Sequence, residues 1–230
     1  MRVRAGTSGW SYPEWKGHFY PEKLASKDFL AYYGTQFSTV EVNNTFHRMP
    51  RPNVLEAWAA AVPGDFSFVL KVSQSITHFK RLKNCGESVQ YLVKNSAGLG
   101  PKLGPYLVQL PPNLRKDAGL LRDFLPLFPT GLRCALEFRH TSWFDDETFA
   151  ILREHDAALC IADTGEDTDA PFTATTGWGY LRLRQESYDE GAMASWQERV
   201  RGQSWSEAFV FFKHEEAGAA AKMATRFMEP

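Results

Sequence analysis

Short apolar runs rich in Val, Leu and Phe recur along the whole chain, beginning near Val3, Thr39, Ser67, Tyr106, Arg133, Ala158, Gly179 and Ala208. Turn signals bound them, and stretches of helical periodicity separate them. Eight such runs in 230 residues leave about 29 residues per unit, the span of one strand plus one crossover helix. The predicted helices cover 27–36 behind a Ser26 cap, 52–62 with proline in the first turn, 87–99, 118–127, 145–155, 193–201 and 215–228. Residues 164–177 carry no helical pattern, so the sixth unit is expected to be irregular or to lack its helix. No Ser/Gly-rich linker, repeat or low-complexity tract interrupts the chain, which favours one domain over residues 1–230. The alternation predicts an α/β fold, a single TIM-type (β/α)8 barrel, with an open doubly wound sheet as the alternative.

Within a strand, residues i and i+2 share a face, and in a barrel one face looks at the axis. In Tyr180-Leu181-Arg182-Leu183-Arg184 the two leucines must meet helices, which sends Tyr180, Arg182 and Arg184 inward. The same parity turns in Glu41 and Asn43, Lys71 and Ser73, Gln109, and Glu137 and Arg139. The eighth run offers Lys213 or His214, and Asp163 closes the sixth. All of these stand at the carboxyl ends of strands, where barrel enzymes assemble their sites. Such a cluster is either a structural ion network or a working site. Buried charges cost several kcal/mol unless paired, which weighs toward a site where Leu or Val would otherwise serve. Trp10, Tyr12, Phe46 and Trp143 fall in loops on the same side, offering flat surfaces to a sugar ring or base, or else packing as loop core.

Composition narrows the partners. Lys plus Arg number 26 against 27 Asp plus Glu, a net charge of -1, so no global field draws the chain to nucleic acid or an anionic membrane. Cys85, Cys134 and Cys160 form an odd trio without a close pair and read as free thiols of a reducing compartment. The first residues, Met-Arg-Val-Arg-Ala-Gly, hold no apolar stretch of signal-peptide length, and nowhere do 18 apolar residues run together. A cytoplasmic protein without membrane partners is expected.

Several stretches match a known family in order: Gly6-Thr-Ser-Gly-Trp10-Ser-Tyr12-Pro-Glu-Trp15-Lys-Gly17, Phe19-Tyr-Pro21, Glu41-Val-Asn-Asn-Thr-Phe46, Phe68-Val-Leu-Lys-Val72 and Ser75-Ile-Thr77-His78. Gln109-Leu-Pro-Pro112, Glu137-Phe-Arg139-His-Thr-Ser-Trp143-Phe144 and Tyr180-Leu-Arg182-Leu-Arg184 continue the series. Together they span nearly the whole chain, which resembles the YecE-like family, a domain-of-unknown-function group of bacterial and archaeal proteins. The resemblance implies a TIM-type barrel and brings no reaction with it. Many members carry Asn-Asn-Asp after the last strand where this chain has Lys213-His214-Glu215-Glu216, so no role at that corner transfers.

Three functions fit these residues. The first is metal-independent acid/base chemistry, with no cofactor, on a small anionic or polyhydroxylated substrate. Arg139, Arg182, Arg184, Lys71 and Lys213 would hold phosphate or carboxylate oxygens, and Asn43 and Gln109 would orient hydroxyls. Glu137 and Glu41 are candidate proton carriers, with His78 or His214 as the second acid or base. An Arg beside Glu137 would lower its pKa and leave it holding charge instead. The second is a divalent-metal-dependent isomerase or phosphodiesterase/nuclease using Glu41, Glu137, Asp163 and a His. Against it, neighbouring Arg and Lys residues repel a cation, and no His-x-x-x-His or His-Glu-x-x-His spacing occurs. The third is nucleotide or nucleic-acid binding through Lys71 and Lys80-Arg81-Leu82-Lys83 with stacking aromatics, weakly supported given the net charge. Glu215 and Glu216, expected to open the last helix, make its N-terminus a poor phosphate cradle.

Overall fold

The computed structural model describes residues 1–165, 169–213 and 216–229. Its eight strands are β1 (Arg2–Thr7), β2 (Thr39–Val42), β3 (Ser67–Lys71), β4 (Leu103–Gln109), β5 (Cys134–Glu137), β6 (Ala158–Asp163), β7 (Trp178–Leu183) and β8 (Glu207–Phe212). All pair in parallel, in the order β1-β8-β7-β6-β5-β4-β3-β2. This is the predicted TIM barrel, joined by ladders everywhere except between β1 and β2. There the closure comes from a side chain. The Tyr33 hydroxyl accepts the Thr7 backbone N–H at 2.9 Å and donates to the Thr39 carbonyl at 3.0 Å. A Cβ on Gly6 would lie 2.3 Å from the Thr39 carbonyl oxygen, so glycine is what lets the two strands approach.

The described residues form seven α-helices: α1 (Phe29–Gln36), α2 (Pro52–Ala61), α3 (Gly86–Ser96), α4 (Ala118–Phe124), α5 (Asp146–Glu154), α6 (Glu190–Arg201) and α7 (Ala219–Met228). Asp117, Asp145 and Asp189 cap α4, α5 and α6 by accepting from the N–H of Leu120, Thr148 and Ala192 at 3.0, 2.9 and 2.7 Å. The Asp189 cap explains why α6 begins before the expected Met193. Ser26 does not cap α1; it opens a separate short turn, Ser26–Asp28, without a side-chain cap. The last helix starts later than expected, behind Gly218 at φ +70°. Glu216 therefore lies in the preceding turn, outside the first turn of α7, and Glu215 lies outside the described residues.

No α-helix joins β6 to β7 among the described residues, as the pattern of 164–177 predicts. Its place under the outer wall is taken by Phe172, whose ring lies 6.1 Å from Trp196 and 5.9 Å from Trp205. Thr175 fastens the segment, donating to the Ala157 carbonyl at 2.8 Å and accepting the Leu159 N–H at 2.9 Å.

Inside the barrel the side chains form three layers. At the amino ends, Glu207 accepts from Arg4 at 2.5 Å and from Arg133 at 2.7 Å. The middle layer is apolar and includes Val69, Leu107, Cys160, Tyr180, Phe209 and Phe211. Polar residues fill the carboxyl end.

Candidate active site at the carboxyl ends of the strands

Parity brings the predicted residues of five strands to one place. The Arg182 guanidinium, 2% exposed, reaches Glu137 Oε2 through Nη1 at 2.5 Å and Glu41 Oε1 through Nη2 at 2.8 Å. It thus ties β7 to β5 and to β2 across the lumen. Glu41 also accepts from Tyr180 at 2.7 Å, Ser8 at 2.7 Å and Asn43 at 3.1 Å. Glu137 also accepts from Gln109, at 2.9 Å to each oxygen, and from Arg139 at 3.0 Å. Arg182 Nε has no hydrogen-bond partner among the described residues.

These partners fix the charge of both carboxylates. Burial would raise Glu137, but Arg182, Arg139 and the Gln109 hydrogen bond outweigh it and hold the group at about 2. Burial opposes ionisation of Glu41 likewise, and Arg182, Tyr180 and Ser8 bring it below the ordinary range. Neither side chain carries a proton near neutral pH. In this arrangement Glu41 and Glu137 anchor the cation network that Arg182 completes.

Two groups with depressed pKa values lie beside that network. Lys71, at the end of β3, is brought down to about 8 by burial and by Arg182 and Arg139, against the pull of Glu41 and Glu137. Its ammonium sits 4.1 Å from the centre of the Phe46 ring, a cation–π contact. His78 meets the same ring edge-on, with centroids 5.0 Å apart, and its Nδ1 lies 2.8 Å from the Thr77 hydroxyl. Partial burial, then Lys71, Arg139 and Arg81, lower His78 below its ordinary value. His78 rides on a five-residue π-helical turn, Ser75–Phe79, a rare element concentrated at functional sites. Left-handed backbone follows at Arg81, Leu82 and Asn84, with φ of 49°, 65° and 50°, a cluster of strain in the loop that carries the histidine.

An open cavity of about 510 Å³ adjoins the network, lined by Glu137, Arg139, Ala162, Thr164, Asp169 and Arg184 among others. Its position follows from Ala162. In register with Arg182, β6 contributes a methyl group where its neighbours contribute long polar chains.

The rim differs from the expectation in three places. Trp143 is fully buried, stacked on Phe138 with centroids 4.7 Å apart, and donates from Nε1 to the Leu114 carbonyl at 2.8 Å; it is loop core. Trp10 leans outward, edge-on to Trp58 at 4.9 Å and against Phe68, because the loop after β1 folds toward α2. Tyr12 packs on Trp15 and donates to the Ser8 carbonyl at 2.6 Å. Trp10 and Tyr12 line a separate cleft of about 460 Å³ with Trp58, Leu30 and Asn43. Phe46 alone of the four aromatic candidates touches the Lys71 corner.

Asp163 faces away from the lumen, accepting from Gln185 at 2.7 Å, Tyr188 at 2.9 Å and Trp196 at 3.0 Å. With Asp163 turned outward and both glutamates bound to Arg182, no set of three His, Cys, Asp or Glu side chains among the described residues is placed to hold a metal ion. Lys213 is exposed just beyond β8, on the parity of Phe209 and Phe211, and His214 lies outside the described residues. In the basic run, Lys80 donates to Ser88 at 2.8 Å and Arg81 to Asn113 at 3.2 Å, both local contacts. Sequence reasoning assigns Tyr180 an inward face but no role, and assigns Ser8 neither. The inward parity of Tyr180 marked it, whereas Ser8 follows the end of β1 by one residue, where alternation no longer assigns a face.

Strand order, the inward polar ends and the apolar lumen define a TIM-barrel protein. The chain belongs to the family described as "Protein of unknown function DUF72", whose model matches residues 4–230, in agreement with the YecE-like resemblance. It is similar to the UPF0759 protein YecE of Escherichia coli, 29% identical over 143 residues, which are 62% of this chain and 50% of that protein. It is also similar to the UPF0759 protein YunF of Bacillus subtilis, 23% identical over 93% of this chain and 79% of that one. A DUF72 family crystal structure from Thermotoga maritima superposes with a TM-score of 0.85 at 28% identity, over 99% of this chain and 98% of that one. A xylose isomerase-like TIM barrel, part of a fusion with 4-hydroxyphenylpyruvate dioxygenase, shares the fold at TM-score 0.52 and 13% identity, over 99% of this chain and 41% of that one.

Proposed function

We propose that this barrel binds and transforms a small anionic or polyhydroxylated molecule at the carboxyl ends of its strands, using acid/base chemistry of its own side chains. One observation carries the reading. Two carboxylates, Glu41 and Glu137, stand among four cations, Arg182, Arg139, Arg184 and Lys71, which act on one another electrostatically, and Arg182 already engages both carboxylates. Arg139 and Arg184 border an open cavity together with Glu137 and Asp169, and phosphate or carboxylate oxygens placed there gain charge-assisted hydrogen bonds from Arg. Asn43 and Gln109 are the amides beside the two carboxylates, and His78 and Lys71 are the groups assigned to exchange protons near neutral pH. Three buried free cysteines support a cytoplasmic setting. No helix among the described residues is long and apolar enough to cross a membrane.

Calorimetric titration with sugar phosphates and dicarboxylates at low salt tests the reading. R139Q, at a side chain 38% exposed, should weaken binding about tenfold or more, the worth of one charge-assisted contact. R133Q, at the opposite end of the barrel, should leave it unchanged. Equal affinity in wild type and R139Q, or loss in R133Q alone, would refute the assignment.

A further inference from the structure

We propose that the ε-amine of Lys71 forms a covalent imine with the carbonyl carbon of a small substrate that also carries a carboxylate or phosphate. This rests on the anion-site reading above and adds the reacting group.

Lys71 is within the electrostatic reach of two carboxylates, Glu41 and Glu137, and pairs with neither. Both oxygens of Glu41 are engaged by Ser8, Asn43, Arg182 and Tyr180, and both of Glu137 by Gln109, Arg139 and Arg182. Among the described residues the Lys71 ammonium has no ion pair or hydrogen bond, only the face of Phe46 at 4.1 Å. Arg139 and Arg184 already border the cavity, so anion binding does not require a lysine, and Arg would serve that purpose better. A lysine differs from Arg in that its proton can leave, and desolvation beside other cations is how imine-forming lysines are activated. At about 8, roughly a tenth of the side chain is neutral amine at pH 7, against a few parts in ten thousand at the ordinary value. Glu41, Glu137, Arg139, Arg182 and His78 are the charged and titratable groups facing it.

His78, on the edge of the same ring, supplies the proton shuttle. It takes one proton from the ammonium. The freed lone pair attacks the carbonyl carbon, the new C–N bond forms, and the π pair moves onto oxygen. His78 returns that proton to the oxygen and then relays a second from nitrogen to oxygen, whereupon the C–O bond breaks and water leaves. The third proton stays on the iminium nitrogen. Ammonium plus carbonyl thus gives iminium plus water, balanced in atoms and charge without a co-reactant. The Phe46 face that holds the ammonium also favours the iminium cation.

The test is reductive trapping. The full chain is incubated at pH 7 with pyruvate in one arm and dihydroxyacetone phosphate in the other, reduced with sodium borohydride, and mapped by peptide mass spectrometry. At least one arm should place the reduced adduct on Lys71 about tenfold or more above any other lysine, and the preferred arm tells a 2-oxo acid from a phosphorylated ketone. K71R should lose the adduct, with its melting curve recorded beside the wild type, and H78A should slow trapping about tenfold or more. Adducts spread evenly over lysines in the wild type would overturn the proposal whatever the variants do. Calorimetric binding of inorganic phosphate without a Lys71 adduct in either arm would end the imine and leave the anion site standing; loss of both would end both.

Discussion

Replacing Arg182 with Met would leave Glu41 and Glu137 buried and short of their shared counter-ion, because Arg182 is the cation bonded to both. Breaking a buried pair from one side costs about 3–5 kcal/mol, so chemical denaturation of R182M at neutral pH should show a loss of that size. The loss should shrink in acid. Glu137 is depressed in the folded wild type to about 2, so its contribution is fully present above the unfolded value of about 4.3 and is lost as pH falls from there toward 2. Denaturation of both proteins at pH 7 and pH 3 checks this; a pH-independent difference would contradict it. The inward set at this end was legible because Leu181 and Leu183 had to meet the helices. The pairing within the set was not. Alternation fixes the face of Arg182, Arg139 and Lys71 alike, but which cation reaches which carboxylate depends on side-chain length across the lumen.

At the scale of elements, the seam between β1 and β2 depends on a hydroxyl carried by α1. Y33F removes the partner of the buried Thr7 N–H and of the Thr39 carbonyl, at a cost of about 1–3 kcal/mol for the unsatisfied groups. Hydrogen exchange at the Thr7 amide should accelerate in Y33F while the β7–β8 ladder keeps its protection; unchanged exchange at Thr7 would show that the strands close without it. The seven helices, and the lack of one between β6 and β7 among the described residues, followed from periodicity, since an amphipathic pattern is a local signal. Loop direction was not local. Trp10 turns to Trp58 because α2 offers an apolar wall there, and Trp143 sinks onto Phe138, facts that no spacing in their own loops encodes. Helix starts shifted for the same reason: Asp189, not the first apolar residue, sets the start of α6.

Across the whole molecule the barrel separates two polar ends by an apolar layer. At the amino ends Glu207 is shared by Arg4 and Arg133, whereas at the carboxyl ends Arg182 bridges two carboxylates and Arg139 and Arg184 line an open cavity. Eight units and their spacing made the architecture readable, and strand parity made the polar end readable. The cavity itself was not, because it depends on the small side chain of Ala162 in register with Arg182, and a missing side chain leaves no polar signal. The central claim is that the inward residues of separate strands make one anion-accepting hollow. A nitrogen–proton NMR titration of the labelled protein with inorganic phosphate tests it most directly. Saturable shifts at the amides of Lys71, Arg139 and Arg184, sharing one dissociation constant, are the predicted result; shifts at Arg4, Arg133 and Glu207 instead, or none that saturate, would contradict it.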